Sequence, residues 1–169
     1  MAADLGVPYH VPVEDSGTQT PFANEPLPDG STIDLGAATL EILAIKMPGH
    51  TPGSTCIHIP GHLILTGDTV FVRGLGRPDL TGKASELATE LFHTIHDRLA
   101  PLDRATKVMP AHWTLMEEIN DQGMVETTLG KIFEAIVRKA ESEKAAVGAS
   151  EASSPFAEIT EDDIDNLFR

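Results

Sequence analysis

Pro48-Gly49-His50-Thr51-Pro52-Gly53-Ser54 is the stretch from which the fold can be read. Two prolines and two glycines around a single histidine fix a sharp, rigid turn. Such a turn holds an imidazole still, which suits a metal site, where ligand positions tolerate little error. Two apolar runs follow, Thr55–Ile59 and residues 63–66, with Pro60-Gly61-His62 between them. They read as two strands joined by a tight turn. The second run ends in Gly67-Asp68-Thr69, and a later short run, 107–109, ends in Pro110-Ala111-His112. His50, Asp68 and His112 are therefore each delivered just past a strand end. A lone histidine or aspartate in a loop is more often structural than a ligand. Three of them at three strand ends, in this order, point to a metal site at one edge of a sheet.

Outward from there the pattern is regular. Residues 1–5 read as the end of a helix stopped by Gly6, residues 7–13 as a short strand, and residues 15–30 as a loop. Asp29-Gly30 leads into a predicted hairpin of residues 31–35 and 39–47. Residues 74–83 read as a loop. Ser85 is the predicted N-cap of a helix whose Leu87, Leu91, Phe92, Ile95 and Leu99 share a face, closed by Pro101. Val125, Leu129, Ile132, Phe133, Ile136 and Val137 mark a second amphipathic helix. Strands first, then helix, strand and helix, predict an α/β fold with a mixed sheet covered by helices on one face. Residues 1–142 form this domain. Residues 143–169 read as a flexible linker, small and polar over 145–155, and a short acidic helix whose Thr160 opens a capping-box variant.

Composition narrows the function. The chain has 169 residues, about one domain, and its 41% hydrophobic content is enough for a core. Twelve basic residues face 26 acidic ones, a net charge of −14, which argues against a nucleic-acid partner. There is no basic amphipathic helix for a membrane surface and no run long enough to span a bilayer. The first residues lack the charged and apolar regions of a signal peptide. Cys56, the single cysteine, reads as an apolar core residue in a strand. These features predict a cytoplasmic protein.

Taken together, Pro48 to Ser54, Leu65-Thr66-Gly67-Asp68-Thr69, Gly76-Arg77-Pro78-Asp79-Leu80 and Met109-Pro110-Ala111-His112 resemble the second half of a metallo-β-lactamase superfamily protein. The branches most similar are the persulfide dioxygenases and the hydroxyacylglutathione hydrolases (glyoxalase II), and residues 76–80 lean toward the former. The resemblance implies an αβ/βα sandwich of which residues 27–137 supply the second half. It implies a zinc or iron cofactor and a small thiol-linked, glutathione-type substrate. His50 and His112 would serve as metal-binding histidines, and Asp68 as the bridging carboxylate with a catalytic role. In a mononuclear iron site, His50 and Asp68 would be two of three ligands, and His112 would stand behind them or go unused.

The family's first-half motif, His-x-His-x-Asp-His, has no counterpart here, since His10 is the only histidine before His50. The chain is therefore expected to be a C-terminal half. It is expected to bind metal weakly or not at all on its own and to turn over negligibly. A non-catalytic alternative is a binding or assembly module that pairs with a complementing chain or with itself. Arg77 is a candidate contact for an anionic substrate, weighed against a local pair with Asp79. His93 and His96, three apart on the first helix, read as solvated surface.

Overall fold

The computed structural model describes residues 2–15, 23–34, 36, 41–113 and 115–147. A short helix α1 (Ala2–Leu5) ends at Gly6, whose φ of 63° reverses the chain. Strands β1 (His10–Pro12) and β2 (Glu25–Leu27) pair in parallel as a small separate sheet. The predicted loop thus contains a strand, one that Pro26 and the polar residues around it hid.

The main sheet has six strands: β3 (Ser31–Thr32), β4 (Leu43–Lys46), β5 (Thr55–Ile59), β6 (Leu63–Gly67), β9 (Lys107–Pro110) and β10 (Thr127–Thr128). Their spatial order is β10-β9-β6-β5-β4-β3. Neighbours run antiparallel except β6 and β9, which are parallel, so the sheet is mixed as the element order implied. A hairpin of β7 (Val70–Phe71) and β8 (Gly74–Leu75) sits beside it, extending strand structure into the predicted 74–83 loop.

Two helices cover one face. Helix α2 (Ala84–His93) passes without a break into a π-helical stretch, Thr94–Leu99, and α3 spans Leu129–Val147. Leu91, Ile95, Leu99, Leu129, Ile132 and Phe133 meet Cys56, Ile64 and Val108 in one buried cluster. The three strand residues alternate with partners that point the other way, as a pleated strand requires. On that opposite face Ala44, Ile57, Leu65 and Met109 are in register across four strands, and Leu65 is 41% exposed.

Three local expectations change. Ser85 lies inside α2; Lys83 is the cap position and makes no side-chain cap bond. Phe92 does not join the core: it is 40% exposed and its ring stacks on His96. Helix α3 starts at Leu129, because Val125 is spent on a bridge to Ile119 and Thr127–Thr128 on the sheet. Helix α3 also runs across the 142/143 boundary. The predicted linker beyond Val147 and the acidic helix lie outside the described residues. Among the described residues no helix is long and apolar enough to cross a membrane.

Candidate metal centre

The sheet topology gathers the three loops. Strands β6 and β9 run parallel, with Gly67 beside Pro110, so Asp68 and His112 leave the sheet at the same end. Strand β5 runs antiparallel to β6, so its first residues lie at that end too, and the Pro48–Ser54 turn enters it there. The Ala111 amide donates to the Gly67 carbonyl at 2.9 Å and closes the last two loops on each other.

Each loop is held by its own hydrogen bonds. In the first, the Met47 amide bonds the Ser54 carbonyl at 2.8 Å, and the Thr51 amide donates to Ser54 Oγ at 3.1 Å. In the second, Thr66 Oγ1 donates to the Val70 carbonyl at 2.8 Å and the Thr69 amide to the Thr66 carbonyl at 3.0 Å. Thr66 and Thr69 are both fully buried, so the turn that presents Asp68 is anchored in the core.

The donor atoms themselves are arranged tightly. His112 Nδ1 lies 2.5 Å from Asp68 Oδ1. His50 Nδ1 lies 3.1 Å from the Arg77 carbonyl oxygen. A carbonyl can only accept, so that nitrogen carries a proton, and Nε2 is the ring nitrogen left to face the site. This Nε2 faces Asp68 Oδ2 at 3.8 Å, too far for a hydrogen bond. The gap between this nitrogen and the carboxylate oxygen leaves room for a cation. An imidazole fixed through its other nitrogen to a backbone carbonyl is also how metal-binding histidines are oriented. On this chemistry His50 and Asp68 fit a zinc or ferrous ion. His112 fits less well, because its Nδ1 is engaged by Asp68 and its side chain is 71% exposed. Among the described residues no three His, Cys, Asp or Glu side chains are grouped to hold a metal ion.

Gly76 was not picked out from sequence as a site residue, and Arg77, picked out for its side chain, contributes in another way. Gly76 is buried against the site: a Cβ there would sit 2.0 Å from the Asp68 carbonyl oxygen and 2.9 Å from His50 Cβ. Arg77 contributes its backbone carbonyl. Its side chain is paired with Asp79 through two bonds, Nε–Oδ1 at 2.6 Å and Nη2–Oδ2 at 2.8 Å. That pairing raises the guanidinium and lowers the carboxyl, with the hydrogen bond the leading cause in each. The glycine-rich composition of residues 74–82 was the available signal for a close approach, but it does not say which glycine makes it.

His93 and His96 share the Asp97 carboxylate, at 3.2 and 2.6 Å, on the exposed side of the helix, where His93 and Asp97 line a cleft with Lys46 and Pro48. Those two bonds, that from His96 first, hold the Asp97 carboxyl below its usual value. Cys56 is fully buried, and desolvation pushes its thiol up to about 12. This excludes it as a nucleophile and agrees with a core role.

Comparison with known proteins adds sequence and fold relatives. No family model matches the chain. It is 35% identical over 98 residues to the mitochondrial persulfide dioxygenase of Bos taurus, a match covering 57% of this chain and 35% of that protein. It is 36% identical over 86 residues to a probable polyketide biosynthesis zinc-dependent hydrolase of Bacillus velezensis, covering 51% of this chain and 36% of the relative. The crystal structure of a metallo-β-lactamase from Staphylococcus aureus superposes on 91% of this chain and 50% of its own length, with a TM-score of 0.66 and 20% identity. The chain thus spans well under half the length of the curated relatives it matches.

Proposed function

We propose that this chain, similar in sequence to a persulfide dioxygenase and a zinc-dependent hydrolase and in fold to a metallo-β-lactamase, carries part of a metal centre. The centre belongs to a hydrolase or persulfide dioxygenase acting on a small thiol-linked substrate. The observation that carries this reading is His50 Nε2 held 3.8 Å from Asp68 Oδ2, with Nδ1 tied to the Arg77 carbonyl. His50 would give a neutral nitrogen to zinc or iron and Asp68 an anionic oxygen. His112 would hold the Asp68 carboxylate in orientation through Nδ1–H. A bound zinc or iron supplies Lewis acidity toward a carbonyl or sulfur group.

Structural zinc takes four protein ligands and catalytic zinc about three plus water. Two well-oriented donors and a third engaged elsewhere fall short, so the reading includes weak metal binding and negligible turnover for this chain alone. The site is assigned to residues 1–142. A cytoplasmic location suits a lone unpaired thiol such as Cys56. Arg77 is a weaker candidate for meeting an anionic, glutathione-type substrate, since Asp79 already occupies its guanidinium.

Calorimetric titration with zinc, and with ferrous iron under nitrogen, tests this reading. Weak binding by the native chain that is lost in His50→Ala and Asp68→Asn is expected. Tight one-to-one binding would overturn the incompleteness, and binding indifferent to both substitutions would overturn the site. The second reading, an assembly module pairing with another chain or with itself, draws on the exposed Leu65 beside the partly buried Ile57 and Met109.

A further inference from the structure

One face of the first long helix runs alongside the segment leading into His50. Three of its residues meet that segment in order. Arg98 Nη1 donates to the Lys46 carbonyl at 2.8 Å. Thr94 Oγ1 donates to the Pro48 carbonyl at 2.6 Å. Leu91 lies so close beneath Gly49 that a Cβ added there would come within 2.5 Å of Leu91 Cβ. Gly49 has a φ of 141°, so the residue just before His50 has neither a side chain nor an ordinary backbone preference to stiffen it. The helix adds to the rigidity that the loop's own hydrogen bonds supply.

Thr94 is the informative member. A threonine inside a helix commonly returns its hydroxyl to its own helix four residues back. Thr89 does this, donating to the Ser85 carbonyl at 3.0 Å. Thr94 instead spends its hydroxyl on a turn 46 residues away in sequence, and it does so while 1% exposed, where water offers no substitute.

We infer that Thr94 is a positioning residue that latches the Pro48 carbonyl onto the helix and thereby fixes the aim of the His50 imidazole. It acts through the backbone and does not touch the donor atoms. Its functional meaning rests on the reading of His50 as a metal donor, but the latch can be tested with no metal present.

The experiment compares Thr94→Val, which removes the hydroxyl and keeps the shape, with Thr94→Ser, which keeps the hydroxyl, in the full chain. The readout is water exchange of the His50 Nδ1 proton by NMR on histidine-labelled protein, with the backbone amides of Ile57 and Leu65 as an internal reference. Thr94→Val is expected to speed His50 exchange by about fivefold relative to the reference amides, the factor one hydrogen bond of ordinary net strength would give. Thr94→Ser is expected to restore the native rate. Unchanged His50 exchange in Thr94→Val, or acceleration equal to that of the reference amides, would overturn the latch; so would failure of the serine variant to restore it. Should Thr94→Val not fold, the native chain still decides. A slowly exchanging Thr94 hydroxyl proton coupled to the Pro48 carbonyl carbon supports the latch, and a freely exchanging one refutes it. A latch that holds in a chain showing no His50-dependent zinc binding would leave Thr94 positioned as inferred and remove the metal reading.

Discussion

Replacing Gly76 by alanine should damage the candidate site through sterics alone. The added Cβ would lie 2.0 Å from the Asp68 carbonyl oxygen and 2.9 and 3.1 Å from His50 Cβ and Cγ. Carbon and oxygen atoms in contact stay about 3.3 Å apart, so 3.3 minus 2.0 leaves roughly 1.3 Å to be found by movement. The obstructing atom is backbone and cannot rotate away. The Gly76 amide is itself tied to the Thr69 carbonyl at 2.9 Å. The next residue, Arg77, supplies the carbonyl that holds His50 Nδ1 at 3.1 Å, so a shift of this size breaks that bond. Overpacking of this kind costs about 2 kcal/mol, which for a chain of this size lowers Tm by about 6 °C. Gly74→Ala is the control. Nothing lies within 4 Å of a Cβ at Gly74, so its Tm should hold or rise slightly. Thermal unfolding by circular dichroism gives the first readout and the His50 ring signals give the second. Equal Tm values for the two variants, or His50 signals unmoved in Gly76→Ala, would refute the reasoning.

His58, 7% exposed on β5, has its imidazole held below the usual histidine value, mainly by burial and partly offset by the charge of Glu41. The unfolded chain therefore takes up the proton first. The associated stability is complete above about pH 6.5 and is lost as pH falls toward the lowered folded-state value. Urea midpoints for the native chain and His58→Leu, at about pH 7.5 and about pH 5, should show the larger acid loss in the native chain; parallel losses would exclude His58 as the cause. The buried Cys56 thiol, pushed up to about 12, should resist a thiol reagent until the chain unfolds, and fast labelling of the folded protein would contradict its placement. Leu65→Lys, on the helix-free sheet face, should shift any self-associated protein toward monomer in size-exclusion chromatography, and an unchanged elution profile would free that face of an assembly role.

The three loops of the candidate site were legible because their signals are local. The Pro48–Ser54 turn, the glycine before Asp68 and the proline before His112 are short-range punctuation, and each loop forms where such residues predict. The strand β2 and the hairpin of β7 and β8 were missed because strands of two or three residues carry too little periodicity to stand out from loop composition. Phe92 was misplaced because helical spacing shows which residues share a face, while the π-helical turn that follows and the rings of His93 and His96 offered it a surface alternative.

The order of strands and helices, and the places of His50, Asp68 and His112 just past strand ends, are properties of the sequence, set by alternation, helical spacing and turn chemistry over a few residues each. The pairing of His112 with Asp68 across 44 residues depends on which strands lie parallel, and only packing decides that. The same holds for the Arg77 carbonyl under His50, the Gly76 contact and the Thr94 latch. Each joins atoms far apart along the chain, and their proximity follows from burying one sheet face against two helices. No local residue pattern encodes such a contact, because its energy exists only once the whole core has formed.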